Sequence, residues 1–430
     1  MKAARSNQLP ALGITRRRFV GLSAAWLAKA YSLGVNTLGS TEGSAGAMGS
    51  AVPALTPLNK AYLFLETMMD LYAKGSALRL AQSYVPTAAL NLGATGFTYD
   101  NDVTLIAFLE RGQSGDLARA TVLGNSLVYG QGHDPIGDGR IRNSYYTNPY
   151  ITSGGSANIN DPGSSVGNVA WTGLALSHLY QQSRNTSHLN AALGLGNWVE
   201  NNTYDTRGAG GYTGGFDSSL AALTWKSTEY NIDAYAFFTM LASLTGDSAW
   251  ATRAQHALGF VEAMWNSSGG FFWTGTGTDG VTINTDFIPE DCQSWSYLAF
   301  EDAAYASSID WAESTLAVTD GQFSGVSFSN VDTTGVWFEG TAHMASALEA
   351  RNGPGDPGKA AAYLNDIQVA QLHAPHTNGR GIDAASKDHL NTGAGFYYFA
   401  ALHIGATAWY CIARQFGNPF VFLPRRLRRS

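Results

Sequence analysis

Hydrophobic and polar positions along this chain fall into two alternating patterns, and both have the period of a helix. In the first, apolar residues recur every three to four positions and leave a wet face. After Asp247, the residues Trp250, Ala254, Ala257, Leu258, Val261, Met264 and Trp265 share one side, while Arg253, Gln255 and Glu262 face away. Similar amphipathic segments begin near Leu58, Asp116, Ser187, Ile309 and Pro357. In the second pattern a polar or aromatic cluster opens a helix that is apolar all round, and such a helix is buried on every side. These segments run from Phe97, Asn168, Ser227, Glu290, Val336 and Gly393. The clearest is KSTEYNIDAYAFFTML from Lys226: Ser227 or Thr228 can cap the first turn, Glu229 and Asp233 lie one turn apart, and Ala234 to Leu241 leave almost no polar face.

Six segments of each kind, alternating, make a repeat of helical hairpins. Landmarks on the six buried helices, Tyr99, Trp171, Glu229, Gln293, Glu339 and Phe396, are 72, 58, 64, 46 and 57 residues apart. That is enough chain for a helix, a return helix and two loops. Because a full outer helix separates consecutive inner ones, all six inner helices can run the same way and gather their N-termini at one end. A site is expected there, walled by the Gly-, Tyr-, Asn- and Asp-rich loops between Gly130 and Gly167 and between Thr203 and Trp225.

Of the 430 residues 45% are hydrophobic and only 14% charged, against a usual charged share of about 25%, so the interior is large for the charged surface. A net charge of −7 and a pI near 5.7 argue against a nucleic-acid partner. Eleven Trp, twenty Tyr and twenty Phe are more than a core needs, and aromatic faces with polar rims suit sugar rings or other flat ligands. Cys292 and Cys411 are too few for a disulfide framework; their separation of 119 residues leaves a bridge open, with two buried free thiols as the default.

At the N-terminus, Thr15-Arg16-Arg17-Arg18-Phe19-Val20-Gly21 reads as a twin-arginine export signal. The apolar run from Phe19 to Leu33 contains Lys29 and is too short for a stable membrane span, and Ala45 and Ala47 offer a cleavage site before Met48. The expected organisation is a leader over residues 1–51, one folded domain over 52–416 and a basic tail over 417–430, with transport of the folded protein to a periplasmic or extracellular location. Membrane contact is then confined to the export signal. Gly393 to Ile412, with His403 its only ionisable residue, has the length of a span, but the sixth inner helix requires this stretch.

The hairpin count and the polar clusters FTYDND at Phe97, KSTEYNID at Lys226, PEDCQSW at Pro289 and WFEGTAH at Trp337 resemble the (α/α)6 barrels of the six-hairpin glycosidase superfamily, over roughly Leu58 to Phe416. The resemblance implies an all-α toroid of six helical hairpins and a carbohydrate substrate. It further implies a glycoside hydrolase in which carboxylates at helix starts act as general acid and base on a polysaccharide or oligosaccharide. Polysaccharide lyases share the fold, and a non-catalytic glycan-binding or assembly protein is a third expectation.

Glycosidic cleavage needs a protonated carboxyl at the leaving oxygen and an ionised carboxylate opposite, about 5–5.5 Å apart for retention and about 6.5–9.5 Å for inversion. Carboxylates from different helices favour the wider, inverting spacing. Glu229, Glu339 and Asp100, on the third, fifth and first inner helices, are the catalytic candidates, although each can equally serve as a helix cap. Glu290 after Pro289 reads as a first-turn acid. Sugar-binding candidates are Trp337, Trp295, Asp291, Tyr99 and His343, together with Lys226 beside Glu229. Arg140 and Arg142 from the turn GDGRIRN can clamp hydroxyls or an acidic group, or simply hold their loop. Tyr99, Tyr230 and His343 are the residues a lyase would use. No HExxH or His/Cys ligand spacing points to a metal, and GGYTGG at Gly210 lacks the Gly-Lys-Ser/Thr ending of a phosphate loop, so no cofactor is expected. A G-x-S-x-G elbow is also missing, which disfavours an esterase.

Overall fold

The computed structural model describes residues 55–423; the expected twin-arginine leader and the terminal arginines lie outside them. Twelve α-helices follow one another among the described residues: α1 (Pro57–Met69), α2 (Thr98–Arg111), α3 (Asp116–Gly132), α4 (Val166–Ser183), α5 (Thr186–Thr203), α6 (Thr228–Thr245), α7 (Ser248–Ala263), α8 (Asp291–Phe300), α9 (Ser307–Leu316), α10 (Phe338–Arg351), α11 (Asp356–His373) and α12 (Ile404–Ala413). The even-numbered helices pack side by side in the cyclic order α2, α4, α6, α8, α10, α12 and back to α2, and the odd-numbered ones lie outside them. This is the (α/α)6 toroid. The two sequence patterns separate as burial: every residue of α12 is buried, whereas α7 buries Trp250, Ala254, Ala257, Phe260 and Val261 and wets the rest. Phe260 takes the inward place expected of Leu258, which is half-buried.

One backbone bond repeated six times closes the ring. The first or capping residue of each inner helix donates its N–H to a loop carbonyl of the next hairpin: Thr98 to Asn143 (3.0 Å), Val166 to Gly214 (3.3 Å), Thr228 to Thr274 (3.0 Å), Glu290 to Phe328 (2.8 Å) and Phe338 to Ala384 (3.2 Å). Ile404 completes the circle by reaching back to Ser83 (3.0 Å). These N–H groups have no partner within their own helix, so the seam satisfies them and fixes all six helix starts at one end.

A side-chain clamp sits three residues further on. Asn101 Oδ1 accepts from the N–H of Ala81 (2.7 Å) while its Nδ2 donates to the carbonyls of Ala81 and Phe97. Asn231 grips Tyr212 and Ser227 in the same way, and Gln293 grips Phe272 and Pro289. Thr341 and Thr407 do it with one hydroxyl each, accepting from Val326 and Ile382 and donating to Trp337 and His403. Only α4 differs: Val169 stands at that place, and Asn143 instead accepts from Ser165 N–H and Asn168 Nδ2. Much of the polarity at the inner-helix starts is therefore this clamp, which pairs backbone groups that would otherwise be buried unsatisfied.

Two boundaries differ from expectation. The sixth inner helix starts at Ile404, not Gly393; Gly393 to His403 forms loop and two short strands, Tyr397–Tyr398 and Leu402–His403, paired to Leu390–Asn391 and Ile382–Asp383. Among the described residues no helix is long and apolar enough to cross a membrane. Beyond Phe416 the chain does not leave the fold at once. Pro419 O accepts from His178 Nε2 (2.9 Å), and the Phe420 ring sits 5.3 and 5.4 Å from those of Trp171 and Trp295, so packing continues to Leu423. Cys292 and Cys411 are buried free thiols.

Candidate active site

Counting from the residue that makes each seam bond, the next position along every inner helix holds Tyr99, Gly167, Glu229, Asp291, Glu339 or Gly405. The four side chains in this set, Tyr99, Glu229, Asp291 and Glu339, all line one cavity of about 480 Å3 including its mouth. One helical turn deeper, the same register holds Trp171, Trp295, His343 and Trp409, whose rings pack together with centroids 4.2 to 5.9 Å apart. Trp295 belongs to this packed column and also lines the cavity. Helix geometry explains the regularity: residues four apart share a face, and neighbours diverge by about 100°.

The opposite wall comes from loops. Phe287, Phe328, Phe396 and Tyr398 line the cavity with Trp337, and they pack on one another in a cluster separate from the main core. Phe328 and Tyr398 lie 4.9 and 5.4 Å from the Trp337 indole. Sequence reasoning missed Phe287, Phe328 and Tyr398 as cavity residues, since nothing in their spacing ties them to a helix start, and it took Phe396 for a landmark of the sixth inner helix, which begins only at Ile404.

Glu339 is held from several sides. Trp409 Nε1–H donates to the Tyr99 hydroxyl (2.7 Å), and the Tyr99 O–H therefore points its own proton at Glu339 Oε1 (2.7 Å). His343 Nε2 lies 3.9 Å from the same oxygen, and its Nδ1 faces Glu290 Oε2 at 3.2 Å. Burial, above all, pushes the Glu290 carboxyl well above the usual carboxylate range, and the charges of Asp291 and Glu339 add to it. Glu290 is thus a buried partner of His343 behind the cavity wall.

Asp100 does not reach the cavity. One residue past Tyr99, it turns toward α12, where its Oδ2 accepts from His403 Nε2 (3.0 Å). His403 Nδ1 accepts from the Ala406 N–H and so caps α12, which assigns the ring proton to Nε2. That Nδ1 lies 3.6 Å from Glu339 Oε2, beyond a normal hydrogen bond. Asp100 is therefore two side chains removed from the cavity.

The basic candidates lie elsewhere too. Arg140 forks onto Asp138 at 2.7 to 3.1 Å and lies over the Phe216 ring. Arg142 is buried against Asp134 and Pro162 O. Lys226 Nζ donates to Asp205, Arg207 O and Gly210 O. All three hold loops, and among the described residues no basic side chain lines the cavity. No group of three or more His, Cys, Asp or Glu among the described residues is arranged to hold a metal ion.

Comparison with known proteins agrees with this architecture. The chain is similar to cellobiose 2-epimerase from Bacillus thermoamylovorans B4167, with a TM-score of 0.60 and 12% identity over 83% of this chain and 98% of that one. It is similar to D-mannose isomerase, with a TM-score of 0.60 and 11% identity over 83% and 95%. An inactive variant of an α-1,6-mannanase of Salegentibacter sp. HEL1_6, in complex with α-1,6-mannotriose, matches with a TM-score of 0.52 and 13% identity over 85% and 99%. These likenesses show the fold, a toroid of six helical hairpins. No protein-family model and no curated protein matches the sequence.

Proposed function

We propose that the chain is an exported glycoside hydrolase that cleaves a neutral oligosaccharide or polysaccharide. The observation that carries this reading is the cavity itself: three carboxylates from three successive inner helices face one space that is walled by aromatic rings and, among the described residues, lined by no Lys, Arg or His. Aromatic faces take the apolar faces of pyranose rings. Glu229 gives its proton to the leaving glycosidic oxygen as the bond to the anomeric carbon breaks. Glu339, whose Oε1 already accepts from Tyr99, takes a proton from the attacking water, and Asp291 accepts from a sugar hydroxyl. A uronide lyase fits less well, because three carboxylates around one space repel an acidic sugar.

A second reading has one observation in its favour. His343 and His403 both lie within 4 Å of Glu339, and an imidazole pair suits the proton transfers of a sugar epimerase or isomerase, as two of the similar proteins are named. One experiment separates the two. Incubation with a panel of neutral oligosaccharides, followed by NMR of the anomeric protons, yields shorter chains from a hydrolase and isomers of unchanged length from an epimerase. Export rests on Arg16 and Arg17; exchanging both for Lys should leave the precursor in the cytoplasm, whereas undiminished export would overturn that part of the proposal.

A further inference from the structure

Beside the acidic cavity runs a second, shallower groove of about 260 Å3 including its mouth, lined by Trp225, Lys226, Ser227, Thr274, Thr276, Asn284 and Phe287. Ser227, Thr274 and Phe287 line both spaces, so the groove continues the cavity. None of the chemistry above uses it. Its one charged residue turns its ammonium away, onto Asp205, Arg207 O and Gly210 O. What remains is an aromatic ring, hydroxyls and a carboxamide.

Trp225 is held as a platform. Its indole lies against Gly214, where any Cβ would come within 2.7 Å of the ring, and 5.8 Å from the Tyr230 ring. The residue is 4% exposed, yet its Nε1–H is buried with no hydrogen-bond partner among the described residues. A buried N–H without an acceptor is costly unless something supplies one. Asn284 is half-buried and uses Oδ1 to hold the Asp286 N–H (2.9 Å), which directs its Nδ2 donors elsewhere.

We propose that this groove is a second sugar subsite, which takes the neighbouring neutral pyranose of a chain whose cleaved residue sits in the acidic cavity. Trp225 and Asn284 donate to its hydroxyls, and Phe287 forms the shared wall. The proposal rests on the carbohydrate reading of the cavity, but not on whether the bond there is hydrolysed.

The test is calorimetric titration of the intact protein with two neutral series, mannose to α-1,6-mannotriose and glucose to cellotriose. In at least one series the trisaccharide should bind at least about tenfold more tightly than the monosaccharide, the worth of one or two well-made hydrogen bonds. Trp225→Phe and Asn284→Ala should each remove most of that gain; the second alters a half-buried loop residue and guards against misfolding of the first. Equal affinity along both series, absence of binding, or a gain that survives both variants would overturn the subsite. Turnover of the same sugars reads the parent proposal separately. A Trp225-dependent gain without cleavage keeps the subsite and removes the hydrolase, whereas cleavage with a gain indifferent to both variants does the reverse.

Discussion

Tyr99 uses both sides of its hydroxyl, accepting from Trp409 and donating to Glu339. Tyr99→Phe removes the hydroxyl that accepts from the indole N–H and donates to Glu339. We expect kcat to fall about tenfold and stability by about 1–3 kcal/mol, and a variant with full kcat would show that the tyrosine does not position the carboxylate. Glu339→Gln and Glu229→Gln should lower kcat by a factor on the order of 10² to 10⁴ with the thermal midpoint nearly unchanged. Asp100→Asn should cost no more than about tenfold in kcat, because Asp100 does not line the cavity and the amide keeps an oxygen for the imidazole N–H. Activity assays on the three variants rank these roles, and a loss at Asp100 as deep as that at Glu339 would place Asp100 at the reaction. The polar run FTYDND announced a site, but not its division of labour. Tyr99 lines the cavity, Asp100 orients His403, Asn101 clamps Ala81, and Asp102 accepts from Thr172. Neighbours on a helix point about 100° apart, so the consecutive residues Tyr99, Asp100 and Asn101 face three different ways. Aligning the six helix starts on one register would have separated them.

The clamp residues make a sharper claim at the level of the element. Gln293→Ala strands both the N–H and the carbonyl of Phe272 in a buried place, and should destabilise the protein by about 2–4 kcal/mol by denaturant titration. Val169→Ala, at the one helix start without a clamp, strands no polar group and loses two buried carbons, and should cost about 1.5–2.5 kcal/mol. A cost at Gln293 no greater than that at Val169 would mean that the repeat is held by burial alone. Helix number, order and type were legible because buried and half-wet helices differ so strongly in pattern. Helix α12 was not delimited, since GAGFYYFAALH is as apolar as the helix it precedes, and an apolar run cannot be told from a strand by periodicity alone. The strand pairs there owe their form to partners near Ile382 and Leu390, which local sequence does not reveal.

Across the whole molecule, the chain ends and the acid response follow from what the ring encloses. Phe420 fills the space beside Trp171 and Trp295; Phe420→Ala should cost about 3–5 kcal/mol, while an unchanged thermal midpoint would return this segment to a loose tail. Burial lifts the Asp383 carboxyl to about 6, so the folded protein holds a proton there that the unfolded chain releases near pH 4. The stability from this group is complete below the ordinary carboxylate value and is lost as pH rises through about 6, on the order of 2–3 kcal/mol. Asp383→Asn should flatten that part of the stability-against-pH curve, measured by thermal melts from pH 4 to 7. The seam bond from Ile404 to Ser83, and the cap at His403, belong to the sixth hairpin, which follows the other five in the chain. A growing chain therefore carries Glu229, Asp291 and Glu339 long before Trp409 arrives to fix Tyr99 beside them. A chain cut before α12 would leave the ring an open arc, with its carboxylates in place but no closing partner for Ser83 and no indole for Tyr99.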